Sequence, residues 1–427
     1  MSIKVLIDSL PFEKREQISN ELQVKLESSK YAAMFNAKPK YIDVYEIEGD
    51  NLYLPFAYAV NILKIKKPIS SNYAKMDLNV EFVGELRENQ KSIKDEAISN
   101  LNKHGATIIS CYPGFGKTST SIYIASKIRL KTLIILNRLM LMEQWVSAIK
   151  KFCPNASVSC IKPSAKKNDN SSDFIIINAI NISKMGQAFF KDVGTVIVDE
   201  AHLIMSQVLS QSLHNIFPKY VIGLSATPYR PDGMNALMDF YFTPHKIIRN
   251  LYRKHTVYRV DTGLTPEVEY DRNGKVIWGK ILESQCLNVE RNNLIVNIIQ
   301  KHPDRIFLVL SKRVEQAQYI YDNLKEKGES VAILVGSETE FDRNARILIG
   351  TTGKVGVGFD HAKLDTLLLA SDLEEYFIQY LGRVFRREDV EPIVFDLVDN
   401  NPILKKHFST RRGIYNEVGG IIKKYII

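Results

Sequence analysis

The stretch that decides the fold is ATIISCYPGFGKTSTS, at residues 106–121. An apolar run, a glycine-rich turn and a helical pattern follow one another here, which predicts a strand, a phosphate-binding loop and a helix. Glycines let backbone N–H groups close around phosphate oxygens, and the positive end of the helix dipole favours the same anion. We therefore expect a nucleotide to bind at 113–119, through Pro113, Gly114, Phe115, Gly116, Lys117, Thr118 and Ser119.

Two side chains of this loop have specific expected roles. Lys117 stands where the pattern places the lysine that reaches the β and γ phosphates, and Thr118 stands where it places a ligand of Mg²⁺. ATP and Mg²⁺ are therefore the expected cofactors. Cys111 replaces the first glycine of the full pattern, and we interpret it as a packing residue.

Apolar β-branched runs alternate with helical patterns on the C-terminal side of Thr107, which is typical of βαβ units on a parallel sheet. The first series of runs is ATIIS, TLIIL, FIIIN, TVIVDE and YVIGLS, and the second is RIFLVLS, VAILVG, RILIGT, TLLLAS and PIVFDLV. The sequence thus predicts an α/β fold with two lobes, at 85–250 and 251–400. In such sheets ligands bind at the carboxyl ends of the strands.

The remaining segments have less specific patterns. Residues 1–84 match no motif, and we expect a small accessory domain there that could recruit a protein partner. An Asn-Gly pair predicts a hairpin near 267–279 in the second lobe. Residues 401–427 are rich in lysine and arginine, and we expect a solvated basic tail.

Composition narrows the class of protein. The chain has 427 residues and a formal net charge of +9, so we expect several domains and a polyanionic partner such as nucleic acid. Its four cysteines form no C-x-x-C pair, which argues against a structural zinc site. Without a secretory pattern or eighteen consecutive apolar residues, we expect an intracellular protein of the cytoplasm, nucleus or virion, with no membrane partner.

The run TVIVDEAH places two carboxylates at the end of an apolar strand. Asp199 and Glu200 are expected to be a magnesium ligand and the base that activates water, opposite the phosphate loop. His202 completes the letters D-E-A-H.

These motifs, together with GLSATPYR, TTGKVGVGFD and QYLGRVFRR, resemble those of DEAH-box superfamily 2 helicases over residues 86 to about 400. Within that superfamily, the chain is similar to the XPB-like branch and to helicases of large DNA viruses. The resemblance implies two tandem RecA-like domains and a nucleic-acid-dependent ATPase.

The resemblance also implies roles for individual residues. Gln90 and Arg87 in LRENQ are the expected contacts of the adenine base, and Gly358 and Asp360 are the nucleotide-facing end of motif V. His202, Ser225 and Thr227 are the expected coupling residues between hydrolysis and the lobe interface.

Motif VI supplies the expected arginine fingers. Gln379, Arg383 and Arg386 recur at spacings that place them on one face of a helix. By the resemblance, the two arginines act from the second lobe on the γ-phosphate held by the first.

Contacts to a nucleic-acid strand are expected mainly at its backbone, from Arg138, Asn178, Ser311, Thr351 and Thr352. The core motifs do not separate DNA from RNA, because both rely on backbone contact. The GLSATPYRPDG context favours DNA by analogy. An RNA helicase and a nucleotide-binding scaffold without motor activity are the alternatives.

Overall fold

The structure is a computed structural model, which describes residues 1–25, 41–162, 169–204, 212–227, 235–338, 340–355, 359, 361–373 and 377–426. Two compact units divide the chain. The first unit comprises Met1–Cys111 and Phe115–Arg249, and the second comprises Tyr112–Gly114 and Asn250–Ile427.

A seven-stranded sheet forms the centre of the first unit. Its strands are β6 (Ala106–Cys111), β7 (Thr132–Leu136), β8 (Val158–Cys160), β9 (Phe174–Asn178), β10 (Thr195–Val198), β11 (Tyr220–Ser225) and β12 (Lys246–Arg249). They pair in the order β12-β6-β11-β10-β7-β9-β8, and every pairing is parallel. Most of these strands are buried along their whole length, which explains their continuous apolar runs.

The helices of the first unit lie between the strands of the central sheet or in the N-terminal segment before its first strand. They are α1 (Phe12–Glu21), α2 (Glu88–His104), α3 (Lys117–Ile128), α4 (Met140–Phe152), α5 (Ala201–Ile204) and α6 (Asn235–Tyr241). Short 3₁₀ helices lie at Ile7–Ser9, Ser70–Asn72, Ala179–Lys184, Gln187–Phe190 and Leu213–Asn215, and one π-helix at Tyr58–Ile62.

The described residues of 1–84 belong to the first unit and share its core, which differs from the expected separate domain. Strands β1 (Ser2–Leu6), β4 (Glu46–Glu48) and β5 (Asn51–Pro55) form an antiparallel sheet, and β2 (Gln23–Lys25) pairs with β3 (Tyr41–Asp43). Apolar side chains of these strands, such as Leu54, join one hydrophobic cluster with Val221 and Leu133 of the central sheet. Burial of these apolar side chains against the central sheet explains why the segment packs here.

The second unit has its own parallel seven-stranded sheet. Its strands are β13 (His255–Asp261), β14 (Phe307–Ser311), β15 (Val331–Leu334), β16 (Ile347–Thr351), β17 (Thr366–Leu369), β18 (Ile393–Val398) and β19 (Gly420–Lys424), in the order β15-β16-β14-β17-β18-β13-β19. The helices are α7 (Trp278–Leu287), α8 (Val289–Gln300), α9 (Val314–Glu326), α10 (Thr352–Val355), α11 (Phe377–Val384) and α12 (Pro402–Glu417).

The structure corrects the expected tail at 401–427 in part: the described residues 401–426 are folded, although their lysines and arginines other than Arg411 are exposed. They form α12 and the edge strand β19, which pairs in parallel with β13 from His255↔Gly420 to Arg259↔Lys424. The basic residues had suggested solvation, but Arg411 is buried among carboxylates. The segment is therefore part of the second unit's core.

The expected hairpin near 267–279 is a tight turn with one isolated antiparallel bridge, Tyr270↔Val276. Asp271 donates its N–H to Lys275 O, and Gly274 supports the turn with a φ of 74°. No helix among the described residues is long and apolar enough to cross a membrane.

Candidate functional site

The carboxyl edge of the first sheet gathers five of the sequence motifs. Strands β6, β11, β10, β7 and β9 are consecutive neighbours in the parallel sheet, so the loops that follow them lie along one edge. Those loops hold the phosphate-loop residues, Thr227, Asp199, Arg138 and, at the last position of β9, Asn178. Parallel α/β sheets bind their ligands at this edge.

The glycine-rich loop has the backbone that its sequence predicts. Gly114 and Gly116 have φ values of 83° and 94°, which side-chain-bearing residues rarely adopt. Helix α3 begins directly at Lys117, and the first N–H groups of a helix have no partner within it. This start therefore directs backbone donors and a positive dipole end towards the loop, as an anionic ligand requires.

The polar side chains of the loop are held by backbone carbonyls. Lys117 Nζ donates to Cys111 O at 2.7 Å, and Ser119 Oγ donates to Gly116 O at 2.9 Å. Cys111 itself is buried, and burial raises the pKa of its thiol to about 11. Because the reactive form of cysteine is the thiolate, this pKa fits a packing residue.

Gln90 and Arg87 lie against the phosphate loop. Gln90 is buried, and its amide nitrogen is 3.2 Å from Phe115 O, 3.1 Å from Gly116 O and 3.2 Å from Ser119 Oγ. Its amide oxygen accepts the N–H of Arg87 at 2.9 Å, and Arg87 Nη2 donates to Phe115 O. The start of α2 is thereby tied to the loop.

The two carboxylates after β10 have different surroundings. Asp199 Oδ2 accepts the indole N–H of Trp145 at 2.9 Å, and Oδ1 accepts the N–H of Glu200 at 3.0 Å. Burial, and then the adjacent Glu200 carboxylate, raise the pKa of Asp199 to about 6. A desolvated carboxylate beside a second one fits a cation ligand, because a divalent ion offsets both unfavourable effects.

Glu200 has a left-handed backbone, with a φ of 49°. Non-glycine residues adopt this conformation at a cost, and such residues concentrate at functional sites. The conformation ends β10 and turns the chain into α5.

His202 connects the carboxylate motif to the motif after β11. Its Nδ1 lies 2.9 Å from Ser225 Oγ and 3.6 Å from Glu200 Oε2. Ser225 Oγ accepts the N–H of Thr227 at 3.0 Å. His202 and Ser225 are both buried.

Arg138 and Asn178, the two residues of the first unit expected to contact a nucleic-acid strand, differ in exposure. Arg138 lies on the half-buried loop before α4. Asn178 is buried, and its side-chain oxygen accepts the N–H of Ile180 at 3.2 Å, which caps a 3₁₀ helix. The Asn178 side chain thus has a structural partner, while Ile180 beside it is 60% exposed.

In the second unit, the placement of Ser311 does not fit the expected contact with a nucleic-acid strand. Its side chain is fully buried, and its hydroxyl donates to Gln316 Oε1 at 2.8 Å. The residues that follow it, Lys312 and Arg313, are exposed. The sequence predicts a contact at Ser311 because this residue ends β14. In the structure, the exposed side chains at this place are those of Lys312 and Arg313.

The motif V residues lie partly outside the described residues. Thr351 ends β16 and is half-buried, and Thr352 begins α10, where its carbonyl accepts the Tyr380 hydroxyl at 3.0 Å. Gly358 and Asp360 are among the residues that the structure does not describe.

Motif VI is only partly helical, which corrects the expected single helical face. Gln379 and Arg383 lie on α11, but this helix ends at Val384, so Arg386 lies beyond it. Phe385 packs on His255, with ring centroids 4.7 Å apart, and its carbonyl accepts Arg253 Nη1 at 2.7 Å. These contacts stabilise the non-helical backbone after Val384.

The two motif VI arginines, Arg383 and Arg386, are both half-buried. Arg383 Nη1 donates to Phe359 O. Burial lowers the pKa of Arg386. A desolvated guanidinium binds an anion more strongly than a hydrated one does.

Trp145 is the residue that sequence reasoning missed at this site. Its indole is a donor only, so a tryptophan buried on an amphipathic helix needs an acceptor. That signal predicts a polar partner without saying which one.

Comparison with known proteins finds relatives that are named as helicases. The sequence profile described as "Type III restriction enzyme, res subunit" matches residues 84–230. The chain is 42% identical to "Putative helicase 161L" of Invertebrate iridescent virus 6 over the full length of both chains. It is 32% identical to "Putative helicase 055L" of Frog virus 3, over 88% of this chain and 87% of the relative.

Among solved structures, S. cerevisiae Dbp5 bound to RNA and ADP BeF3 has a TM-score of 0.56 at 14% identity, over 78% of this chain and 89% of that chain. This likeness confirms the predicted fold of two tandem RecA-like domains.

Proposed function

We propose that this chain, which belongs to the superfamily 2 helicases and hydrolyses ATP as they do, is a DNA-dependent motor of the DEAH-box, XPB-like branch. The observation that carries the proposal is the edge of the first sheet. There the phosphate loop, the Asp199–Glu200 pair and the His202–Ser225 contact follow neighbouring strands.

In this proposal the phosphate loop and the carboxylate pair hold Mg²⁺ and ATP. Lys117 binds the β and γ phosphates, the backbone of 113–119 surrounds them, and Thr118 and Asp199 hold the cation. Arg87 and Gln90 support the loop and face the adenine, and Gly358 and Asp360 contribute from motif V. Bound Mg²⁺ neutralises negative charge on the phosphate oxygens. The paired carboxylates and the helix start at Lys117 support these assignments.

Glu200 is the proposed general base. It takes a proton from the attacking water, while Asp199 remains at the cation. The two carboxylates are adjacent in sequence but have different partners, which supports different roles. Such separation is common where two acids share one reaction.

The second unit supplies the proposed arginine fingers. Arg383 and Arg386, with Gln379, bind the γ-phosphate when the lobes close on ATP. Loss of that phosphate removes the anion that both units bind, so the lobes separate and the cycle moves the strand.

His202, Ser225 and Thr227 are the proposed coupling residues. Their hydrogen bonds join the hydrolysis site to the loop after β11. Within the described residues, Thr227 Oγ1 is buried without a hydrogen-bond partner, which supports a role that is completed by another group.

The proposed nucleic-acid track uses backbone contacts from Arg138, the Asn178 loop, the end of β14, Thr351 and Thr352. At β14 we assign the contact to Lys312 rather than to the buried Ser311 side chain, since Lys312 is exposed and cationic. DNA is the proposed substrate and RNA the alternative. A protein partner through residues 1–84 and an intracellular location stay predictions.

The decisive experiment measures ATP hydrolysis with double-stranded DNA, single-stranded DNA or RNA, and with Lys117→Ala as the baseline. We expect DNA to raise the rate and salt to weaken that stimulation. Stimulation by RNA alone would overturn the DNA assignment. If no nucleic acid raised the rate, the motor would have to give way to a nucleotide-binding scaffold.

A further inference from the structure

We propose that Trp145 is a positioning residue that holds Asp199 in the orientation needed to bind Mg²⁺. Trp145 lies on α4, and its Nε1 donates to Asp199 Oδ2 at 2.9 Å. It is only 2% exposed, so water does not compete effectively for this bond. The inference rests on the proposed magnesium role of Asp199.

Two donors fix the Asp199 carboxylate, one on each oxygen. The Glu200 N–H binds Oδ1 at 3.0 Å, and the indole binds Oδ2. With both oxygens held, rotation of the carboxylate is restricted. Each carboxylate oxygen still has a second lone pair, so a cation can bind without displacing either donor.

The chemistry of tryptophan suits this position. Its N–H cannot accept a proton or ligate a metal, so it cannot compete with Asp199 for the cation. Because α4 follows β7, and β7 is the direct neighbour of β10, the sheet order brings this helix beside Asp199.

Groups that orient a metal ligand contribute strongly to metal affinity. Loss of such a hydrogen bond weakens metal binding or activity by about 10- to 100-fold. Removing the indole N–H while keeping an aromatic ring is therefore expected to weaken the Mg²⁺ response specifically.

The first test compares Trp145→Phe with Ile149→Val, a conservative buried change on the same helix that leaves the indole N–H in place. Binding of a fluorescent ATP analogue is titrated with Mg²⁺ and also measured in EDTA. We expect Trp145→Phe to need at least about tenfold more Mg²⁺, with unchanged affinity in EDTA. Equal Mg²⁺ requirements in the two variants would overturn the proposal.

The second test keeps Trp145 and so does not depend on the folding of a Trp145 variant. The chain has two tryptophans, and Trp278 stacks on His407 in the second unit, with ring centroids 5.2 Å apart. Trp278→Phe leaves Trp145 as the single tryptophan. We expect its emission to change when Mg²⁺ is added to the analogue-bound protein; an unchanged emission while Mg²⁺ tightens analogue binding would count against the inference.

Asp199→Asn separates this inference from the proposed function. If Asp199→Asn leaves the Mg²⁺ requirement unchanged, the magnesium role of Asp199 is wrong. If it raises the requirement while Trp145→Phe does not, only the role of Trp145 is wrong.

Discussion

At the residue scale, Gly116 is where the phosphate loop meets the side chains of the segment before it. A Cβ added at Gly116 would clash with Gln90 Nε2 and would lie 2.7 Å from Arg87 Nη2, at a φ of 94°. We expect Gly116→Ala to lose ATP binding and to lower the free energy of unfolding by about 1–3 kcal/mol. Analogue binding and urea unfolding measure the two effects.

Gly49→Ala is the matched control for that change. Gly49 also has a positive φ, 58°, but an added Cβ meets nothing within 4 Å. We expect backbone strain without loss of nucleotide binding. Equal losses of binding in both variants would show that general destabilisation, and not a local effect at the phosphate loop, causes the loss.

Glu200 permits a test of the division of labour between the two carboxylates. Glu200→Gln keeps the size and the left-handed backbone position but removes the base. We expect ATP to bind with nearly normal affinity and hydrolysis to fall by about 10²-fold or more. Single-turnover hydrolysis and equilibrium binding measure this, and near-normal turnover would sink the assignment.

At the element scale, α12 and β19 complete the second unit. Arg411 is 2% exposed, binds both oxygens of Asp396 at 2.8 and 2.7 Å, and donates to Asp372 Oδ1 at 2.8 Å. The Tyr415 hydroxyl also donates to Asp396, at 2.8 Å. This network anchors α12 to β18, which contains Asp396, and to the segment after β17, which contains Asp372.

Arg411→Met tests that anchor. The change leaves the buried Asp396 carboxylate without its cation and removes one of the partners of Asp372, which His407 still contacts, so we expect the free energy of unfolding to fall by about 3–5 kcal/mol. Urea unfolding is the measurement, and the exposed neighbour Arg412→Met is the control with little expected effect. If the two variants had equal stability, the burial of Arg411 would be contradicted.

The elements also show where local patterns suffice. Strand runs such as TVIVDE were predicted because continuous β-branched apolar residues are typical of parallel strands. The end of α11 at Val384 cannot be predicted from the local sequence. It depends on contacts of Phe385 with His255 and Arg253, which are about 130 positions away. Helical spacing alone therefore predicts a longer helix in motif VI than the structure has.

At the scale of the whole molecule, the proposed arginine finger and the phosphate-loop lysine belong to different units. Lys117 belongs to the first unit and Arg386 to the second. We expect Arg386→Ala to keep ATP affinity, which depends mainly on the first unit, and to slow hydrolysis by about 10³-fold or more. Rapid-mixing hydrolysis and analogue binding measure both quantities.

Arg412→Ala removes an exposed arginine of the same unit and is the control for net charge. A loss of ATP affinity as large as the loss of rate would contradict the arginine-finger role, because it would place Arg386 in ground-state binding.

The sequence by itself determined the phosphate loop, the Asp199–Glu200 position and the two α/β lobes. Each depends on residues that are close in the chain: glycines for a left-handed turn, an apolar run for a strand, and a polar residue where the strand ends. Such signals survive in the sequence because their physical cause is local.

Only the tertiary structure decided which distant groups meet. Trp145 and Asp199 are 54 positions apart, and the order of β7 and β10 in the sheet brings them together. The burial of Ser311 and Arg411 likewise depends on neighbours supplied by other elements. Periodicity predicts that a strand exists, but it does not contain the strand order, and that order sets the partners of a side chain.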